Sequence, residues 1–418
     1  MIIKRATVLT FIICAGVLGQ ACGSSSPTAS GPGTGPYRVG VPFGYTGRHL
    51  PIGQTWLDAV QIAGQNIIAA GGVLGRNPIA VPVETSADPV DAVPAIRQML
   101  AVSNVSGVVG LSGTDWQNVV PILNTSKMVS FTHIGDPSID QLTDPYIFST
   151  APSDAVLGAA MVQYANSKGY KRPALIFDAA EGAQTVVPSV KHAAAVLNMQ
   201  VVADPALPEN APSYEAAIIQ VLAAKPDVLL LQLDPQGAGT FFNELKQLGG
   251  TNIPVIGTDY TADPNWVKAI GAALDNAEVT SVLAGNGISG PGAQSYLALF
   301  KSTYHFDPSY VGASAYDGMT VMALAMEDCK SLDPTVYVKC VVDVTTPGTS
   351  STVVYNFADG KKLLDQGKKI KYFGVATPMT FNKYHRVTGD YIAEKFNTDG
   401  KTTTKVGDIP GASLVPLI

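Results

Sequence analysis

Polar side chains gather just after apolar, strand-like runs in this sequence, and they are its candidates for chemistry. Thr114, Asp115 and Trp116 follow the run Val105 to Leu111, and His133 to Asp136 follow Met128 to Thr132. Asp178, Asp234 and Asp259 each stand past a further run of the same kind. Carboxylates accept from ammonium and hydroxyl groups, while hydroxyls and backbone N–H groups donate to carboxylates, so such a set suits holding a small polar molecule. Any one of these aspartates reads equally well as a helix cap or turn residue. Their recurrence at one edge is informative, because open parallel sheets bind ligands beyond the carboxyl ends of their strands.

Motifs for transforming a bound molecule are missing. There is no P-loop, no G-x-S-x-G elbow and no paired histidine spacing for zinc, and Gly110-Leu111-Ser112-Gly113 has the wrong order for a nucleophile elbow. His49, His133, His192, His305 and His385 are scattered singly. Gly285 to Gly290 fits the dinucleotide pattern G-x-G-x-x-G, but the strand ending in an acid that should follow is interrupted by Pro308 and Gly312. It reads as a glycine-rich connection. No enzyme, cofactor or metal is expected; an exported α/β enzyme would need a nucleophile and base that the sequence does not display.

The elements that must position the polar set alternate regularly. Tyr37 to Phe43 is strand-like, and Thr55 to Ala70 carries Trp56, Val60, Ala63 and Ile67 at helical spacing before Gly71-Gly72 stops it. Strands are expected at Ile79 to Val83, Val105 to Leu111 and Met128 to Thr132, with helices at Val90 to Leu100 and Trp116 to Leu123. After Asp154 the pattern restarts. Strands at Ala174 to Phe177, Gln200 to Ala203, Val228 to Leu233 and Val255 to Gly257 alternate with helices near Ala155 to Ser167, Gln184 to Leu197, Tyr214 to Ala224 and Gly239 to Leu248. Beyond Ala284 a long helix at Ala313 to Glu327 and β-rich text from Tyr372 to Phe396 complete the chain. The expected fold class is α/β, with two doubly wound parallel-sheet lobes.

At 418 residues, with 46% hydrophobic and 14% charged side chains, the chain can bury two cores. A net charge of −6 and the lack of a basic stripe argue against nucleic acid. Lys4 and Arg5, the apolar stretch Ala6 to Gly19 and small residues around Cys22 have the layout of a secretory leader, too short to span a bilayer. Leu18-Gly19-Gln20-Ala21-Cys22 resembles a bacterial lipobox, so Cys22 is expected to carry lipid, with simple cleavage as the alternative. Residues 1–21 are then the signal and 22–36, rich in Ser, Gly and Pro, a flexible tether. In an oxidising compartment Cys329 and Cys340 are expected to form a local disulfide, with two separate buried thiols as the alternative.

Several stretches, in this order, resemble the branched-chain amino-acid-binding family of ABC-transporter solute-binding proteins. They are Val39-Gly40-Val41, Tyr45-Thr46-Gly47, Gly53-Gln54, Ala69-Ala70-Gly71-Gly72-Val73-Leu74-Gly75-Arg76, and Ser86-Ala87-Asp88-Pro89. Thr150-Ala151-Pro152-Ser153-Asp154, Ala315-Tyr316-Asp317, Ile370 to Gly374 and Pro378 to Phe381 continue the series. The resemblance implies the class I periplasmic binding fold, two lobes joined by a three-crossing hinge, with crossings near Ser153, Val282 and Phe381. Lobe 1 is then 37–153 plus 283–380, and lobe 2 is 154–282 plus 381–418. It implies that Thr114 and the backbone at Ile134 hold a ligand carboxylate, and that Asp259 and Asp154 hold an ammonium. Asp136 stands where a hydroxyl is common, Gly182 and Ile52 match aromatic positions, and Trp116 adds bulk nearby. Tyr45, Asp115 and Asp234 complete the expected lining.

The implied function is an extracytoplasmic, monomeric carrier of an amino-acid-like or related polar solute, delivering it to an ABC permease. A ligand sensor on the same fold is the alternative.

Overall fold

In the computed structural model, residues 35–111, 115–271, 278–285, 288, 290–346, 348, 350–397 and 403–418 are described, without the side chains of Arg48 and Pro264. The leader, Cys22, most of the tether and Thr114 lie outside them.

The chain opens as β1 (Tyr37–Phe43), α1 (Leu50–Ala69), β2 (Pro78–Glu84), α2 (Pro89–Val102), β3 (Val105–Val109), α3 (Trp116–Thr125), β4 (Ser130–Thr132) and β5 (Ile147–Ser149). These strands form a parallel sheet in the order β2-β1-β3-β4-β5. β1 has a neighbour on each side and helices over its faces, which is why all of it except Arg38 is buried and it reads as a nearly continuous apolar run. α1 starts earlier than expected. Pro51 supplies a fixed φ in its first turn, and Gly53 lets it press on β1's exit: a Cβ there would stand 2.1 Å from the Gly44 carbonyl oxygen.

The chain then continues as α4 (Asp154–Ser167), β6 (Pro173–Phe177), α5 (Glu181–Gln184), α6 (Val187–Val196), α7 (Glu215–Ala223), β7 (Val228–Gln232), α8 (Pro235–Gln247), β8 (Val255–Gly257), α9 (Pro264–Ile270) and β9 (Val279–Ala284). It returns to the first sheet's side with α10 (Ala293–Tyr304), α11 (Tyr310–Asp328), α12 (Pro334–Asp343), β10 (Thr352–Val354), α13 (Phe357–Asp365) and β11 (Ile370–Tyr372). α11 is buried almost all round, lying between α1, α12 and α13. Finally β12 (Tyr391–Phe396) and β13 (Thr403–Ile409) complete the second sheet, ordered β13-β12-β9-β8-β7-β6.

Three expectations are corrected. β12 and β13 pair antiparallel, so the second sheet is only parallel from β6 to β9. The run Gln200 to Ala203 makes a single bridge beside β6, because Pro205 soon removes a ladder donor. The helix expected over Gln184 to Leu197 is split into α5 and α6, with Pro188 in the first turn of the latter.

Three chain crossings join the sheets, at 150–153, after Ala284, and at 373–390. The second lies past the expected Val282, since β9 pairs with β12 through Ala284. The third crossing bonds to the starts of the other two: Ser149 N–H, at the end of β5, to His385 carbonyl at 2.9 Å, Val387 N–H to Ser149 carbonyl at 3.2 Å, and Gly285 N–H to Asp390 carbonyl at 2.7 Å. Buried Asp317 of α11 holds the start of the third, accepting from Tyr372 hydroxyl (2.7 Å) and the N–H groups of Val375 (2.8 Å) and Ala376 (2.9 Å). Cys329 and Cys340 form a disulfide, with Cα atoms 6.0 Å apart, tying the end of α11 to α12.

Candidate functional site

A cavity of about 680 Å³, counting the part open to solvent, lies where the crossings meet the strand ends of both sheets. From the first sheet come His133, Gly135 and Asp136 after β4; from the second come Gln232 ending β7, Asp259 and Tyr260 after β8, and Tyr391 opening β12. Asp154 and Thr185 enter from α4 and the end of α5, and Tyr310 from the first turn of α11. Gly182, Gln232 and Tyr260 also border an adjoining space toward Ile52, Asp178 and Asp234. This is the carboxyl edge at which the sequence gathered its polar residues.

Asp154 is the most perturbed acid here. Its carboxylate accepts from Thr185 hydroxyl at 2.6 Å, and its N–H bonds the Gly135 carbonyl at 2.7 Å. Gly135 has no room for a side chain: a Cβ would stand 1.9 Å from Asp154 Oδ1. Burial raises the Asp154 pKa from 3.8 to about 7; the Thr185 bond opposes this, Asp259 adds to it, Arg386 opposes it and Asp136 adds. What leaves Asp154 partly exposed is the cavity it faces.

His133 Nδ1 lies 2.9 Å from Ser314 Oγ, and its Nε2 lies 3.6 Å from Asp259 Oδ2. Because the Ser314 hydroxyl donates to the Val311 carbonyl at 2.7 Å, its oxygen is left to accept from the ring. Behind Gly135, buried Arg386 donates to the carbonyls of Ile134 (3.0 Å) and Gly135 (3.2 Å) and lies 2.9 Å from Asp140, off the line of a hydrogen bond. Ser153 hydroxyl donates to the same Asp140. These contacts pin the first and third crossings beneath the cavity floor.

The structure brings together Asp136, Asp154 and Asp259, and places Ile52 and Asp234 in the adjoining space. Asp234 also caps α8, accepting from the N–H groups of Gln236 and Gly237, so the cap reading of that residue holds. Four expected lining residues fall elsewhere. Trp116 and Asp115 are buried, and Trp116 packs with Ile96 and Val119 because α3 begins there and turns its apolar face inward. Tyr45 turns its hydroxyl back to the Val41 carbonyl at 2.7 Å. Ile134 is fully buried, its carbonyl taken by Ser149 and Arg386, and Gly135 lines the cavity in its place.

Sequence reasoning missed Thr185, Gln232, Tyr260, Tyr310 and Tyr391. Gln232 carried a signal, a polar residue closing an apolar strand run; the tyrosines come from distant segments with no local mark. Gly182 does border the cavity, and a Cβ there would meet nothing within 4 Å.

Residues 36–400 match the family model described as Periplasmic binding protein. No curated protein matches the chain in sequence. Among solved structures, the branched-chain amino acid transporter substrate-binding protein LivJ from Streptococcus pneumoniae, in complex with isoleucine, is similar with TM-score 0.74 at 19% identity, over 89% of this chain and 99% of that one. A solute-binding protein from R. palustris in complex with benzoate has TM-score 0.75 at 15% identity, over 90% and 97%. A fatty acid ABC transporter substrate-binding protein from Thermomonospora curvata has TM-score 0.74 at 18% identity, over 91% and 94%. At these identities the likeness speaks for the fold. With a family match over most of its length and the two-lobed class I architecture, the chain belongs to the periplasmic binding protein family.

Proposed function

We propose that the chain is the solute-binding component of an ABC importer, working outside the cytoplasm and closing its lobes over one small polar solute. The observation that carries this reading is the cavity lined from both sheets, with Asp136 and His133 on one side and Asp154, Gln232 and Asp259 on the other. A solute held by one lobe gains contacts with the other only when the cleft shuts, so binding shifts the population toward the closed form that a permease can read. Lipid on Cys22 and the tether to Pro36 would keep the carrier at the membrane while its lobes move.

Among the described residues no helix is long and apolar enough to cross a membrane. The test is a thermal-shift screen of the purified chain against amines, amino acids, aromatic acids and fatty acids, followed by small-angle scattering with each hit. A true solute raises Tm and reduces the radius of gyration. A screen in which nothing stabilises the protein, or a hit that leaves its dimensions unchanged, overturns the reading.

A further inference from the structure

The charges around the cavity narrow the class of solute, an inference that rests on the solute-binding reading. The carboxylates of Asp136, Asp154 and Asp259 face one space, and no lysine or arginine is among the described residues lining it. Arg386, behind Gly135, is already matched by Asp140 at 2.9 Å. His133 is the one lining side chain able to carry positive charge, and it can offset at most one of the three acids, so the space is left with more acidic than basic groups. Such an excess in a partly desolvated space calls for a cation.

A second observation points the same way. Tyr391 is 1% exposed, borders this cavity, and its hydroxyl has no hydrogen-bond partner among the described residues. Asp154 and Asp259 line the same cavity as this side chain. A buried hydroxyl without a partner is rare unless something else completes it. Tyr260 and Tyr310 line the same space, and aromatic faces attract cations.

We propose that the solute is an organic cation without a carboxylate, an alkylammonium or amidinium with a short apolar body, held by Asp154 and Asp259, and that Asp136 excludes α-amino acids. The exclusion follows from geometry. In an α-amino acid one carbon separates the ammonium from the carboxylate, so a molecule whose ammonium meets Asp154 and Asp259 brings its own carboxylate to the same acidic space. Asp136 is held there, its Oδ1 accepting from Ser138 N–H and hydroxyl, both at 2.8 Å.

The test is calorimetric titration of the full chain with butylammonium, benzamidine, leucine and benzoate, repeated on Asp136→Asn and Asp136→Ser, both of which keep a capping side chain. At least one cation is expected to bind 100-fold or more tighter than leucine. Both variants are expected to narrow that ratio at least tenfold. Leucine or benzoate binding more tightly than both cations overturns the inference while leaving the solute-binding reading in place. So does a ratio unchanged in both variants, and so does failure of both cations to bind.

Discussion

Replacing Asp154 by asparagine isolates what this acidic cavity costs the folded protein. Asparagine keeps an acceptor for the Thr185 hydroxyl and the shape of the side chain, and removes only the charge. Holding the carboxyl at about 7 against its ordinary 3.8 corresponds to roughly 4 kcal/mol, at about 1.4 kcal/mol per pH unit. Asp154 is partly exposed to the cavity, and solvent screening brings this to about 2 kcal/mol. The sign follows from proton binding. Between 3.8 and about 7 the folded chain keeps a proton that the unfolded chain has released, so this group's contribution falls as pH rises, and the full cost stands above the upper value.

Urea denaturation without solute should therefore find Asp154→Asn more stable than the parent by about 2 kcal/mol at pH 8. At pH 4 the two should agree within about 0.5 kcal/mol. Asp317, raised by burial to about 6, gives both proteins a similar slope, so the difference between them is the quantity to read. Asp259, Asp136, His133 and Arg386 surround the position, and all remain in the variant. A variant less stable than its parent at pH 8, or a difference equal at both pH values, would refute the electrostatic account.

Gly182→Phe places a ring in open space on the cavity wall; stability by urea denaturation should change by less than about 1 kcal/mol, while affinity for any hit falls at least tenfold. Removing the disulfide with Cys329→Ala and Cys340→Ala opens a loop of sequence separation 11, and loop entropy sets the expected loss near 3 kcal/mol, read as a lower urea midpoint. Arg386→Met leaves Asp140 without its buried cation and takes one donor from the carbonyls of Ile134 and Gly135; unfolding free energy should drop by about 3 kcal/mol.

What the sequence disclosed depended on how each residue is buried. β1 and β8 match the expected Tyr37 to Phe43 and Val255 to Gly257 because strands covered on both faces must be apolar throughout. β13 went unseen because TTKVGDI is exposed along most of its length and only Ile409 is buried. Asp136, Asp154 and Asp259 do line one cavity, since the end of a strand fixes where the next residues emerge. Asp115 and Trp116 do not, and Trp116, Val119, Val120 and Leu123 already had the spacing of an inward helical face. Tyr310 and Tyr391 reach the cavity from segments remote in sequence, so only tertiary packing could reveal them.

The ladder among the crossings determines what kind of motion this molecule can make. Three independent threads would permit the halves to twist, slide and tilt. Bonded edge to edge through Ser149, His385, Val387, Gly285 and Asp390, they form a narrow ribbon, a shape that resists twist and sliding more than bending about its own line. A sheet-like edge of this kind favours a hinge between the halves over a sliding of one on the other.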